Sequence, residues 1–203
     1  NFRCPFCHNK TLVIGYSNQP QLEEDEIFNY LKKRKNLLTG VCISGGEPTL
    51  QPDLKEFAKK IKDLDYKIKL DTNGTAPETV YDLIHNGLID YVAMDIKNSK
   101  EKYCITAGAQ NLNLNKIMES VEMLKSDLTD YEFRTTLIKE FHTKNDMENI
   151  GDWLKGAKKL FLQHFKSSSD CINPNLNEIP IDEAETFKSI LQKNILSVSL
   201  RGY

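Results

Sequence analysis

The sequence predicts an α/β fold, a mostly parallel sheet with helices outside, as a barrel or a doubly wound sheet. Three observations carry this. Strand-like and helix-like stretches alternate along nearly the whole chain. Polar residues collect at the C-terminal ends of the strand-like stretches, the edge where parallel α/β proteins place their chemistry. No linker, low-complexity tract or internal repeat interrupts the alternation, and 203 residues suit a single domain over 1–203.

Each element has its own justification. Residues 21–37 begin acidic, end basic and place Ile27, Tyr30 and Leu31 on one stripe, which predicts a helix. Residues 41–44 form a short strand ending in Gly45-Gly46, and 53–65 a helix with Leu54, Phe57, Ile61 and Leu64 on one face. Residues 67–71 are a strand closed by Asn73-Gly74, and 77–85 a helix ended by Asn86-Gly87. Residues 91–96 are a strand, 98–112 a loop rich in Lys, Gly and Asn, and 114–125 a helix with Ile117, Val121 and Leu124. Strands at 131–138, 159–165 and 195–200 and helices at 146–154 and 181–193 follow, with a loop at 167–180.

Composition excludes several classes. Lys+Arg number 27 against 29 Asp+Glu, too acidic a balance for a protein that works by neutralising phosphates, so no nucleic-acid partner is expected. No apolar run approaches the roughly 18 residues of a membrane span, and no charged-then-apolar start marks a signal peptide. Five unevenly spaced Cys argue against a secreted disulfide framework.

Cys4-Pro5-Phe6-Cys7-His8-Asn9 is the sharpest local motif. A Cys-x-x-Cys pair suits two ligands of an iron–sulfur cluster, half of a zinc site or a redox dithiol. Gly45-Gly46-Glu47-Pro48 lets backbone approach a ligand and adds a carboxylate, although an ordinary turn uses the same glycines. Asn73-Gly74 is a common turn, which leaves Asp71 at the strand tip unexplained. Asp95 and Lys97 share a face, as a salt bridge or as ligand groups. Arg134, one of four arginines, sits in a strand beside Thr136, and Lys69 and Glu132 share the matching faces of their strands. Together they suit a lumenal charge network, in a structural or a ligand-binding role. Period two turns Gln163 inward and His164 outward. His85 and His142 read as surface residues; Cys42, Cys104 and Cys171 as packed or incidental thiols, and Trp153 as packing.

In this order, the motifs resemble the radical S-adenosylmethionine (SAM) superfamily, and within it the glycyl-radical-enzyme activases. Cys4 through Asn9, Glu132-Phe133-Arg134-Thr135-Thr136 and Leu162-Gln163 look most like the branch that activates anaerobic ribonucleoside-triphosphate reductase, similar to pyruvate formate-lyase activating enzyme. The family pattern is Cys-x-x-x-Cys-x-x-Cys. Cys4 and Cys7 match its second and third cysteines, and the first would fall just before Asn1. The expectation is a partial (β/α)6 barrel, N-terminally incomplete, without the strand that precedes the first cysteine.

The resemblance implies a [4Fe–4S] cluster with one open iron, Cys4 and Cys7 as its metal ligands, and SAM chelated at that iron. One electron cleaves SAM to a 5′-deoxyadenosyl radical that takes hydrogen from a partner's glycine. It implies that Glu47, the Gly45-Gly46 backbone and Asp71 supply acceptors for the SAM ammonium, that Lys97 meets its carboxylate, that Arg134 and Gln163 reach the ribose or carboxylate, that Asn73 and Asp95 also bind the cofactor, and that oxygen is excluded, hence an anaerobic cytoplasm. The implied partners are a glycyl radical enzyme, the anaerobic ribonucleotide reductase catalytic subunit first, and flavodoxin or ferredoxin as electron donor. No Cys-rich insertion follows the first helix, unlike activases with ferredoxin-like inserts. The 98–112 loop and the tail from 166 are candidates for partner contacts. The alternatives are a radical SAM enzyme acting on a small molecule, similar to 7-carboxy-7-deazaguanine synthase, and a truncated non-catalytic metal- or SAM-binding module.

Overall fold

The computed structural model describes residues 1–15 and 22–203. Its centre is one six-stranded sheet, β1 (Gly40–Ile43), β2 (Lys67–Thr72), β3 (Tyr91–Asp95), β4 (Asp130–Leu137), β5 (Lys159–His164) and β6 (Ser197–Arg201). The strands lie in sequence order and all five pairings are parallel. The helices are α1 (Lys10–Ile14), α2 (Glu24–Lys33), α3 (Leu54–Lys62), α4 (Pro77–His85), α5 (Tyr103–Ala107), α6 (Leu114–Lys125), α7 (Lys144–Trp153) and α8 (Ile181–Leu191). The α/β class and the outer helices are as expected, and the strands run in order from one edge to the other, as in part of a barrel.

Period two divides every strand between a helix-facing core and an inner face. Ile68, Leu70, Val92, Met94, Phe133, Leu160, Leu162 and Val198 are buried under the helices. The alternate positions, Lys69 and Asp71, Asp95, Glu132 and Arg134, and Phe161, form the other face, which is therefore polar for most of its length. Helices seal the core by the matching rule at period 3.6. Ile117, Val121 and Leu124 of α6 are buried, and Asn113 caps its first turn by accepting from the Asn115 amide. A capping box, Thr143 with Asp146, starts α7.

Two expected boundaries, 77–85 and 114–125, match α4 and α6. Elsewhere helix ends fray by a few residues; of the 21–37 helix, Gln21 lies outside the described residues and α2 covers Glu24–Lys33. The clearest difference is the stretch expected as a loop over 98–112. It contains α5, whose Tyr103, Thr106 and Ala107 are buried. Five residues are too few to show a helical period, so only tertiary packing reveals them. Among the described residues, no helix is long and apolar enough to cross a membrane.

Phe133 is fully buried on the helix side of the central strand pair. Phe133→Ala is expected to cost about 4 kcal/mol, as large aromatic truncations in tight cores do, whereas Ile105→Ala at an exposed position should cost under about 0.5 kcal/mol. Urea unfolding of both variants measures this.

Candidate active site

The C-terminal edge of β1 to β4 opens onto a cavity of about 1200 Å³. Cys4, Cys7, Gly45, Gly46, Glu47, Asp71, Asn73, Asp95, Lys97 and Arg134 all line it, so ten of the eleven sequence-predicted site residues meet in one place. Gln163 is the exception. It sits half-buried on β5, flanked in register by Thr136 and Arg201, and β5 and β6 contribute no residue to the cavity wall. The inward turn expected of Gln163 therefore does not bring it to the other ten, because the cavity lies against the first four strands.

A chain of charges forms the cavity floor. Arg134 of β4 reaches Asp95 of β3 through Nε (2.8 Å) and Asp71 of β2 through a terminal nitrogen (3.1 Å). Lys97 closes on the other oxygen of Asp95 at 2.9 Å, and Lys69 bonds Asp71. Burial alone would raise both carboxyls, but Lys97 and Arg134 hold Asp95, and Lys69 and Arg134 hold Asp71, below the ordinary 3.8. Burial likewise opposes the charge of Lys97, and Asp95 outweighs it and raises its pKa. On the cavity lining Lys97 and Arg134 balance Asp71 and Asp95, and Lys69 braces Asp71 from outside that lining.

Glu47 closes β1 and is buried. Its Oε1 accepts from Thr49 Oγ1 (2.6 Å), Thr72 Oγ1 (2.8 Å) and the Thr49 amide (3.3 Å), and Oε2 from the Asn73 amide (2.7 Å). The carboxylate thus sutures the loop after β1 to the tip of β2. Gly45 and Gly46 are exposed on the cavity side, and Gly45 has φ +151°, which a Cβ would disfavour.

The cysteine turn is clamped from both sides. The Cys7 amide donates to the Cys4 carbonyl at 2.9 Å. From α5, the Ala107 carbonyl accepts from the Arg3 amide (3.1 Å) and from Cys4 Sγ (3.5 Å). From the segment after β5, the Ile172 and Asn173 amides donate to the carbonyls of Cys7 (3.3 Å) and Pro5 (2.7 Å). Both stretches expected to face a partner therefore also brace this turn. Phe6 packs within it, 5.9 Å from the Lys97 ammonium and 6.4 Å from the Phe141 ring.

Sequence reasoning missed these braces because backbone carbonyls carry no residue signature. It also misplaced His142, expected at the surface. His142 is 2% exposed, enclosed between the exits of β3 and β4 because the turn before α7 folds it inward.

Both thiols are free. Burial pushes the Cys4 thiol up from 9.0, against the pull of nearby Lys97. Metal binding requires thiolates, so this neighbouring cation favours a ligating Cys4. The pair and the cavity beside it fit one edge of an iron–sulfur cluster. Among the described residues no group of three His, Cys, Asp or Glu stands ready to hold a metal.

Two predictions follow from the geometry. A carboxyl whose folded pKa lies below its unfolded value adds stability above the unfolded pKa and loses it as pH falls through the folded one. Asp95→Asn should therefore cost about 2 kcal/mol at pH 7, between exposed and buried ion pairs, and less at pH 3; urea unfolding at both values checks this. Gly108 has φ +62°, and a Cβ there would lie 2.1 Å from the Arg3 carbonyl oxygen. Gly108→Ala should shift the cysteine turn and lower iron incorporation on anaerobic reconstitution, measured per chain, while secondary structure by circular dichroism is retained.

Comparison with known proteins agrees with the geometry. The radical SAM superfamily model matches residues 1–154. A protein of Methanocaldococcus jannaschii that carries the name glycyl-radical enzyme activating enzyme is 33% identical over 210 aligned residues, covering 99% of this chain and 85% of that protein. The 7-carboxy-7-deazaguanine synthase of Thermoplasma acidophilum is 27% identical, over 70% of this chain and 64% of that protein. The crystal structure of Streptococcus suis SuiB bound to S-adenosylmethionine superposes with a TM-score of 0.72 at 14% identity, covering all of this chain and 48% of that one. This chain spans about half of that solved chain, and at that identity the likeness concerns the fold. Six parallel strands in sequence order, paired cysteines over a charged cavity and a family match across three quarters of the sequence lead to one conclusion: the chain belongs to the radical SAM superfamily.

Proposed function

We propose that this domain is a glycyl-radical-enzyme activase, which uses SAM to remove a hydrogen atom from a glycine of a partner enzyme. One observation carries the chemistry: Cys4 and Cys7 line the same cavity as Gly45, Gly46, Asp71, Asp95, Lys97 and Arg134. The likeness to the M. jannaschii protein supports the choice of a protein glycine as substrate. The family implies a [4Fe–4S] cluster and SAM, and the cluster when bound supplies the single electron that splits the SAM sulfonium bond.

This chain's own residues have distinct tasks. Cys4 and Cys7 contribute two thiolates to the cluster. Lys97 faces the SAM carboxylate, the one anionic group of that molecule. Asp71, Asp95 and the exposed Gly45-Gly46 backbone offer acceptors to its ammonium. Glu47 and Asn73 hold the two loop ends in register and line the wall between them. Arg134 keeps the two aspartates charged and fixed, so the acceptors need no reorganisation when the ligand arrives. Gln163 stands apart from the cavity wall and faces the rest of the inner surface, where the substrate side of the site would extend.

The partner favoured by the sequence motifs is the anaerobic ribonucleotide reductase catalytic subunit, with flavodoxin or ferredoxin as electron donor. A second reading, a radical SAM enzyme acting on a small molecule, draws on the T. acidophilum synthase. In this chain His8-Asn9 follow the cysteines, where those synthases typically carry Asp-Thr.

The test is electron paramagnetic resonance of anaerobic mixtures of this protein, SAM and a reductant with a candidate glycyl radical enzyme. A glycyl doublet on the partner supports the activase. SAM cleavage with no doublet on any candidate, together with turnover of a pterin, would favour the small-molecule reading. Within the site, Lys97→Ala is expected to weaken SAM binding about tenfold, as loss of a charged hydrogen-bond donor does, while Lys69→Ala changes it about twofold or less; calorimetry showing equal losses would contradict the role of Lys97.

A further inference from the structure

Lys97 lies beyond the last residue of β3, so the sheet does not hold it. The final ladder contacts stop at Ile96, whose amide donates to the Arg134 carbonyl (2.8 Å) and whose carbonyl accepts from Thr135 Oγ1 (2.9 Å). A lysine carries a long flexible stem, so where its ammonium sits depends on how its backbone is fixed. Among the described residues, the side chain that donates to the Lys97 carbonyl is His142, through Nε2 at 3.0 Å.

The imidazole is held in one orientation by its other nitrogen. The Ile138 amide donates to His142 Nδ1 at 3.0 Å. Nδ1 also lies 3.2 Å from the Ile138 carbonyl, but the Lys97 carbonyl can only accept, so Nε2 carries the proton and donates to Lys97, and in the neutral ring Nδ1 is the acceptor for the Ile138 amide. The loop around His142 reinforces the same contact. The Phe141 carbonyl accepts from Asn98 Nδ2 (3.0 Å), the residue after Lys97, and the Phe141 ring meets Phe6 of the cysteine turn. Phe6 in turn lies against the Lys97 ammonium. The exit of β4 thus touches the lysine at its backbone and, through Phe6, near its charge.

We propose that His142 is a positioning residue for Lys97: its Nε2–H fixes the Lys97 carbonyl, and this sets the ammonium between Asp95 and Phe6 at the cavity. The consequence for cofactor binding rests on the reading that Lys97 meets the SAM carboxylate. The positioning itself does not.

Two substitutions separate positioning from general structural support. In His142→Gln the side-chain amide nitrogen can occupy the place of Nε2 and keep the donor to Lys97. In His142→Asn the shorter side chain reaches the Ile138 amide and leaves the Lys97 carbonyl without its donor. The first measurement needs no cofactor: reductive methylation of the protein, followed residue by residue by mass spectrometry. Lys97 should label about fivefold faster in His142→Asn, the scale of one lost buried hydrogen bond, and within about twofold of wild type in His142→Gln, with Lys69 unchanged in both.

SAM affinity of the iron-loaded protein, measured by calorimetry, should follow the same order. The His142→Asn loss should vanish in a Lys97→Ala background. Equal changes in the Asn and Gln variants, or an unchanged Lys97 rate in the Asn variant, would overturn the proposal. So would nitrogen NMR of the wild-type protein showing the proton of His142 on Nδ1, a result that requires no variant to fold. If Lys97→Ala leaves SAM affinity at the wild-type value, the cofactor role of Lys97 fails, and the labelling result still decides whether His142 positions it.

Discussion

The geometry of the site depends on one shared cation. Arg134 bonds Asp71 and Asp95, carboxylates from two different strands, and so ties the tips of β2, β3 and β4 into one charged surface. Parallel strands place their C-terminal ends together but do not by themselves fix what the side chains there do. Two aspartates so close, facing a cavity, would repel each other and protonate. The guanidinium between them, with Lys69 and Lys97 at either end, keeps both ionised below the usual carboxylate range. On the cavity lining two cations, Lys97 and Arg134, stand against these two carboxylates, so the floor offers positive charge to an anionic group and carboxylate oxygens to a cationic one.

The cysteine turn is fixed by a different kind of interaction. It has little regular structure, and its position comes from backbone hydrogen bonds with two distant segments, at Ala107 and at 172–173. The contribution of each such bond is modest, about 1 kcal/mol. Their joint effect is geometric: the turn is held from two sides, and its Phe6 is wedged against Lys97. Thiols and lysine, about 90 residues apart in the chain, therefore form a single unit. Glu47 plays a similar part on the opposite wall, where it accepts two bonds from Thr49 within its own loop and two from the tip of β2.

Such an arrangement accords with the division of labour in radical SAM proteins. The redox step belongs to the cofactors, and the protein supplies fixed ligands, fixed charges and an enclosed place. The inner face of β5 and β6 follows another pattern. There Arg201 stacks 3.8 Å over Phe161 and makes two bonds to buried Glu132, which also accepts from Tyr91. These charges are paired with one another on the strand surface away from the cavity lining.

Much of this was legible in the sequence because it is local or periodic. Alternation of strand and helix patterns predicts the sheet, and period two places Lys69, Asp71, Asp95, Glu132 and Arg134 on one face before any coordinates exist. Motif order brings ten of the eleven candidate residues to one cavity. What the sequence does not carry is the set of contacts made by backbone atoms and by short segments. Residues 103–107 are too few to show a helical period, yet they brace Cys4. His142 carries no sign of burial in its neighbours, and Gln163 has the right parity on its strand but stands one strand beyond the cavity wall. The sequence by itself determined which side chains face inward, since that follows from bond geometry repeated along each strand. Only the tertiary structure decided which of them meet and what holds them, since that depends on distances between segments that no local rule specifies.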